Sequence, residues 1–471
     1  MSSSFAVILG YVALQLVIAW LVSRRISGED DYLVAGRSLG PVLCTFSIFA
    51  TWFGAETCVA AAAATYEGGL SAASGDPFGY ALCLLILGAI FARALWNRKL
   101  STFADLYRQR YGPNTERLFA ILLIPMSLLW AAAQIRAMGQ VLAANSEFDV
   151  FAAMTFAAAV VVAYTTLGGL KADAITDLIQ GGTIALGVVA LAWTVFGADD
   201  GLSWGDLPRE RLTLLDTNRP VLENLELWAV PVLGSLFVAE IVSRVAAARN
   251  AAVAQRGTLL GGLLFLGFGT LVALLGVAAS TMDMAAADSS EQILLTLAAA
   301  QLGPLWATLF SGALVAAILS TVDSALLTAG SLAAHNIIIP MRPPMADRAR
   351  LRLNRLSVVG FGVVSYFLAN WFDSVYELIE QASAFASAGV VVVTPIALFT
   401  RFGGAAAAIS SLLAGVVVYC YGGYLAEWPY PYLTAVAAAA AAYLGGALLE
   451  RSRPISTNQD RSVSTPADLP K

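Results

Sequence analysis

Thirteen runs of mostly apolar residues limit this chain more than any other feature of its sequence. A run of about 20 apolar residues can cross a bilayer as a helix. Only 13% of the residues are charged, against about 25% in a soluble domain. The sequence therefore predicts an all-α polytopic membrane protein with 13 transmembrane helices. The runs cover 5–23, 41–66, 76–96, 116–145, 148–168, 172–197, 223–248, 257–282, 303–334, 353–371, 374–400, 404–425 and 430–449.

The basic residues predict the orientation, because cytoplasmic loops carry an excess of Lys and Arg. If the N-terminus lies outside, most of the 27 basic residues fall in inside loops. The inside loop that follows the seventh span is assigned Arg244, Arg249 and Arg256. We therefore expect the N-terminus outside and the C-terminus inside a cell membrane, most simply a bacterial inner membrane. Residues 1–450 form one transmembrane domain, and the polar residues 451–471 form a disordered cytoplasmic tail.

Polar side chains concentrate in the ninth span, where Ser320, Thr321, Asp323 and Ser324 lie in an otherwise apolar run. Buried polar groups are costly in hydrocarbon, so such a cluster indicates a function. A sodium ion takes about five or six oxygen ligands, and two adjacent hydroxyls can supply part of that set. An isolated Ser or Thr more often bonds back to its own helix. The four residues together favour an ion site.

The second span contains a candidate for the remaining oxygens. Residues 50–54 combine Gly54 with the bulky Trp52 and Phe53 in the middle of the span. An unwound helix is tolerated at membrane depth where it lines a site, and it frees backbone carbonyls there. We expect the helix to be interrupted at this point.

Four stretches carry a resemblance to a known family: "DYLVAGRSLG", "ATWFGAET", "YTTLGGLKADAITDLIQ" and "STVDSALLTAGSLAAHNI". Spread over 31–337, they resemble the sodium:solute symporters, which carry glucose, proline, sialic acid or choline. The resemblance implies the leucine-transporter-type fold of two inverted five-helix repeats, about 41–197 and 223–400. The helices 5–23, 404–425 and 430–449 would flank them.

The resemblance also implies ion ligands at matching positions. The main sodium site would use backbone carbonyls and hydroxyls of Ala50, Phe53, Ala317, Ser320 and Thr321. Some members have a second cation site, which corresponds here to Asp177, Asp323 and Ser324. The family has Ser where this chain has Asp323, so this carboxylate either strengthens a second cation site or carries a proton.

The solute is expected near mid-membrane, beside the second span and a seventh span broken at Pro231 and Gly234. Trp52 and Trp130 match cage tryptophans of choline transporters, whereas Val238 stands near the place of a third aromatic. Two Trp rings with carboxylates favour a cation. Glu56 has an alternative role in holding the broken helix together. The residues predicted to contact the solute are Trp52, Glu56, Thr57, Trp130, Gln134, Phe237, Glu240 and Glu380.

These features predict a secondary active symporter driven by co-transported Na⁺, since the sequence contains nothing that resembles a nucleotide-binding loop, a kinase domain or a catalytic triad. The expected solute is small and cationic or zwitterionic, of amino acid or quaternary-ammonium type. A sugar or carboxylate symporter, or a transporter-like sensor acting with a separate signalling partner, are the alternatives. The expected partners are the solute, sodium and the lipid bilayer, with no nucleic acid and no obligatory protein partner.

Overall fold

The computed structural model describes residues 3–452 apart from 145, 198–200, 217, 283–289, 373, 374, 376, 377, 379–383 and 385. The regular elements among these residues are helices. They are α1 (Ser3–Ser23), α2 (Glu29–Val34), α3 (Pro41–Trp52), α4 (Glu56–Gly68), α5 (Ser74–Asn97), α6 (Ala104–Tyr111), α7 (Pro113–Ala144), α8 (Val150–Phe196), α9 (Val221–Ala229), α10 (Ala239–Ala247), α11 (Ala251–Ala279), α12 (Ile293–Gln301), α13 (Pro304–Ser331), α14 (Asp347–Trp371), α15 (Ser387–Phe399), α16 (Ala405–Cys420) and α17 (Pro431–Ser452).

Eight helices of the described chain are long and apolar enough to cross a membrane, or nine when the bent pair α3–α4 counts as one crossing. The all-helical polytopic architecture is thus confirmed, while the count of thirteen stays a prediction. One reason for the difference is α8, which is a single run of 47 residues. A straight helix of that length would measure about 70 Å, more than twice the roughly 30 Å of a hydrocarbon core. In addition, much of 374–400 lies outside the described residues.

Gly169 bends α8 sharply. Its φ of 59° and ψ of −177° are non-helical, and such a positive φ favours glycine. A Cβ here would lie 2.6 Å from Cδ2 of Tyr32, whose hydroxyl donates a hydrogen bond to the Thr165 carbonyl at 2.9 Å. Gly169 therefore marks a kink in α8, and α2 packs against it.

Two interruptions lie deep in the bundle, as the sequence predicts. Helix α3 ends at Trp52, and α4 begins at Glu56 after a bend of 48°. Helix α9 continues into a π-helical turn, Val230–Gly234, and the helix restarts only at Ala239. The predicted break points Pro231 and Gly234 are confirmed, because both residues lie in that turn.

Helix α13 is the centre of the bundle. All its residues from Phe310 to Ser331 are buried, because α7, α8, α3 and α14 pack around it. Helix α11 covers α3 from the other side. The polar residues of α13 are therefore held away from lipid and face other helices.

Candidate functional site

Helix α13 meets the break between α3 and α4 at Thr321. The Thr321 hydroxyl lies 3.4 Å from the Ala50 carbonyl oxygen and 3.3 Å from that of Ala317. Phe53 follows the end of α3 with the non-helical angles φ −81° and ψ 68°. The structure thus brings oxygens of Ala50, Ala317 and Thr321 together beside Phe53, and such carbonyl and hydroxyl oxygens suit a hard cation.

Gly54 makes this approach possible. A Cβ at this position would lie 2.5 Å from the Thr321 hydroxyl oxygen and 3.3 Å from Oε1 of Gln134. No residue but glycine has room there without a shift of its neighbours. On the other side of the break, Oε1 of Gln134 accepts a hydrogen bond from the Ala55 amide at 3.2 Å. Gln134 therefore braces the broken helix.

Ser320 connects this place to a buried acidic group on α8. Its hydroxyl donates to the carboxylate of Asp177, which also accepts a hydrogen bond of 2.5 Å from the Ser47 hydroxyl on α3. Asp177 is fully buried. It therefore joins α3, α8 and α13 next to the oxygens around Thr321.

A second group of charges lies one turn further along α13. Arg244 donates from its guanidinium to Asp173 at 2.5 Å, and it lies 3.4 Å from the Asp177 carboxylate. The same nitrogen donates to the Ser324 hydroxyl, while the adjacent residue Asp323 is 2% exposed. We call Asp173, Asp177, Asp323, Ser324 and Arg244 the Arg244 cluster.

Arg244 requires a correction to the sequence analysis, which counts it among the inside loops. It is a wholly buried residue of α10, where its guanidinium lies 2.5 Å from the carboxylate of Asp173 and 3.4 Å from that of Asp177. Asp177, Asp323 and Ser324 do come together, as expected for the second cation site. The cation that Asp177 and Ser324 contact, however, belongs to the chain itself.

The two tryptophans predicted to contact the solute line one pocket, together with Ser127, Glu240 and Thr321. Ser127 donates a hydrogen bond of 2.5 Å to Glu240. The free volume is only about 20 Å³, roughly the space of one water molecule. The pocket has aromatic walls and a carboxylate, but it is closed in this conformation.

Two predicted contact residues lie elsewhere. The ring of Phe237 packs edge-on against Phe91 at 4.9 Å and does not line the pocket of Trp52 and Trp130. Gln134 is engaged with the Ala55 amide. Glu380, the remaining residue of the set, lies outside the described residues.

Glu56 and Thr57 lie on the far side of the broken helix. Glu56 lines a cavity of about 420 Å³ together with Asp76, Tyr80 and Glu226, which we call the Glu56 cavity. Thr57 donates a hydrogen bond to Asp76 at 2.8 Å. The Tyr80 ring lies 5.3 Å from the Trp52 ring, so the wall between the cavity and the closed pocket is aromatic.

The end of the bundle near α2 and α6 is tied together by hydrogen bonds. His335 lies 2.9 Å from the Glu29 carboxylate and 3.4 Å from that of Asp105. Asn336 donates to Glu116 at 2.8 Å. Burial alone would raise the pKa of Glu29, but the hydrogen bond and charge of His335 hold it below its ordinary value. These contacts join α2, α6 and α7, and none of these residues lines the Glu56 cavity.

Four residues of the site are not assigned to any site by the sequence: Asp76, Tyr80, Asp173 and Arg244. Asp173 and Asp177 stand four residues apart and so share a helix face, which is a readable sign of a paired acidic site. An Arg within an apolar run calls for an acidic partner in the same way. Asp76 and Tyr80 give no comparable sign, because Thr57 and Glu56, the residues that they face, lie on another helix.

Comparisons with known proteins agree with this geometry. A solved structure of a Na⁺-coupled sialic acid symporter, described as substrate-bound and outward-open, superposes with a TM-score of 0.84 at 15% identity, over 96% of this chain and 98% of that one. This chain therefore has the fold of that symporter. High-affinity choline transporter 1 of Caenorhabditis elegans is 27% identical over 407 residues, which cover 79% of this chain and 69% of that protein.

The sodium/glucose cotransporter of Vibrio parahaemolyticus is 24% identical, over 86% of this chain and 82% of that protein. The model of the sodium:solute symporter family matches residues 32–415, which is most of the chain. The protein is therefore a member of the sodium:solute symporter family, a multi-pass membrane transporter and not an enzyme.

Proposed function

We propose that the protein is a secondary active symporter that imports a small cationic or zwitterionic solute together with sodium, by alternating access. The observation that carries this proposal is the meeting of Thr321 with the carbonyl of Ala50 across the broken helix. An ion held between α3 and α13 would fix the broken helix, and Trp52 on that helix lines the adjacent pocket. Ion binding and solute binding would thereby depend on each other.

The proposed sodium ligands are the oxygens of Ala50, Phe53, Ala317, Ser320 and Thr321. The second cation position is proposed to be held by the guanidinium of Arg244, since it already bonds to Asp173 and Ser324. If the guanidinium is the cation at this position, we expect one sodium ion per solute. A sodium dependence of uptake with a Hill coefficient clearly above one would contradict it.

The proposed solute class rests on the aromatic and acidic character of the path. Trp52 and Trp130 line the closed pocket with Glu240, and aromatic faces attract organic cations. The likeness to choline transporters supports an organic cation. The likeness to a glucose carrier keeps a sugar as the alternative, and a carboxylate remains a further one.

The proposed topology has thirteen spans, with the N-terminus outside and the C-terminus inside a cell membrane, most simply a bacterial inner membrane. The repeats would cover about 41–197 and 223–400, and 451–471 would be a cytoplasmic tail. A cysteine introduced in 205–215 should then react with an impermeant thiol reagent added to intact cells, and one in 343–349 should not. The reverse pattern would exclude this orientation.

Uptake into proteoliposomes tests the proposed function directly. An inward sodium gradient should drive accumulation of a cationic or zwitterionic solute, and collapse of the gradient should abolish it. Accumulation of a sugar or carboxylate in place of these solutes would favour the alternative symporters. Sodium-dependent binding without any uptake would indicate a sensor that acts with a separate signalling partner.

A further inference from the structure

Glu56 is a buried carboxylate with no counter-group in the part of the chain that the structure describes. It is 3% exposed, and neither of its oxygens has a hydrogen-bond partner among the described residues. The Tyr80 hydroxyl faces it but does not complete a hydrogen bond of normal geometry. An unpaired buried carboxylate costs several kcal/mol, so its presence at a cavity wall needs an explanation.

A structural role does not explain it. At the break between α3 and α4, the backbone amide of Ala55 donates its hydrogen bond to Gln134 and not to Glu56. The contrast with Glu226 in the same wall is direct, since both its oxygens accept backbone hydrogen bonds, from Tyr432 at 2.6 Å and Leu433 at 2.9 Å. Glu226 caps a helix, whereas Glu56 bonds to no described residue.

The cavity also lacks a free cation among its described lining residues. Arg219 is the basic residue in the wall, but it is already paired with Asp216 at 3.3 Å and lies 3.7 Å from Glu223. Asp76 adds a second carboxylate that is 7% exposed, and its hydrogen bonds come from Thr57. The volume of about 420 Å³ suits a small organic molecule.

We propose that Glu56, with Asp76, binds the N–H donors of the solute, and that the solute is therefore a protonated primary or secondary amine. A quaternary ammonium could lie against the Trp52 and Tyr80 rings, but it has no N–H to offer to the unpaired oxygens. Charge-assisted N–H···O hydrogen bonds are about twice as strong as neutral ones. This inference rests on the proposed function and narrows its solute class.

A homologous series of probes separates the two kinds of cation. 2-Aminoethanol, its N-methyl and N,N-dimethyl derivatives and choline share one skeleton and one charge, and each step replaces an N–H by a methyl group. Binding is measured by the thermal shift of the purified protein in sodium, and by competition against sodium-driven uptake. We expect affinity to fall along the series, by about tenfold or more between its ends.

Variants test whether the preference for N–H donors arises in the Glu56 cavity. Glu56→Gln should remove most of the difference in affinity between 2-aminoethanol and choline, and Asp76→Asn should remove part of it. Glu223→Gln is the matched control, since this exposed carboxylate lies outside the cavity wall and its loss should leave the order intact. Stabilisation by sodium alone should persist in Glu56→Gln, which shows that the variant is folded.

Two results would overturn the inference: no amine of the series binds more tightly than choline, or the order of affinities survives in Glu56→Gln. If either result were found together with sodium-coupled uptake of choline, the proposed function would still hold. Absence of sodium-coupled uptake of any solute would instead remove the proposed function itself.

Discussion

Two buried acidic groups lie on opposite sides of the same broken helix, and they differ in how their charge is balanced. In the Arg244 cluster, the guanidinium contacts Asp173 and Asp177 within the protein. In the Glu56 cavity, Glu56 has no partner among the described residues. The first arrangement contains its own cation, although one oxygen each of Asp173 and Asp323 has no hydrogen-bond partner among the described residues. The second has no cation of its own among the described residues, and we propose that the solute supplies it.

Removal of Arg244 should give the largest effect. Arg244→Gln leaves buried carboxylates without a counter-charge, and loss of one partner of a buried ion pair costs about 3–5 kcal/mol. The thermal midpoint of the variant should fall well below that of Arg249→Gln, an exposed residue just after the same helix. Equal midpoints for the two variants would mean that Arg244 does not balance the cluster.

The next largest effects are expected at Ser320 and Thr321, which lie between the Arg244 cluster and the break in the helix. Thr321→Ala deletes one proposed ligand oxygen and should weaken sodium binding by about 1–3 kcal/mol, measured as the sodium dependence of the thermal midpoint. Ser320→Ala should also lower stability without sodium, because Asp177 then loses a donor. Thr328→Ala, two turns along α13, serves as the control. Unchanged sodium dependence in both variants would contradict the assignment.

Glu56→Gln should act in the opposite direction to Arg244→Gln. Neutralising an unpaired buried carboxylate removes a desolvation cost, so the protein without solute should gain about 1–2 kcal/mol or stay unchanged. The thermal midpoint in the absence of solute measures this. A clear loss of stability would show that Glu56 has a structural partner and would erase the difference between the two groups.

The smallest effect concerns the wall shared by the cavity and the closed pocket. Trp52→Phe keeps a ring face towards a cation, whereas Trp52→Leu keeps only apolar volume. The expected difference in solute affinity is about 0.5–2 kcal/mol, measured by uptake competition. Equal affinities for the two variants would exclude a cation–π contribution from this ring.

Local signals in the sequence predict the helix breaks, because Gly54, Pro231 and Gly234 act on their own backbone. The grouping of Ser320, Thr321 and Ser324 is likewise readable, since all three lie on one short stretch. The partner of Asp177 is not readable in this way, because Arg244 lies on another helix and its approach depends on tertiary packing. The contacts of Gln134 with Ala55 and of Phe237 with Phe91 are unreadable for the same reason, and the assignment of these two residues to the solute stays a prediction.

Gly54 has a consequence for the choice of ion. The space between α3 and α13 is so narrow that a Cβ would lie 2.5 Å from the Thr321 oxygen, and the Ala50 carbonyl oxygen is 3.4 Å from the same atom. Oxygens held this close favour an ion of small radius, and a larger ion such as potassium would have to push the two helices apart. The absence of one methyl group would then discriminate between alkali metals, and with it decide which transmembrane gradient can power the protein.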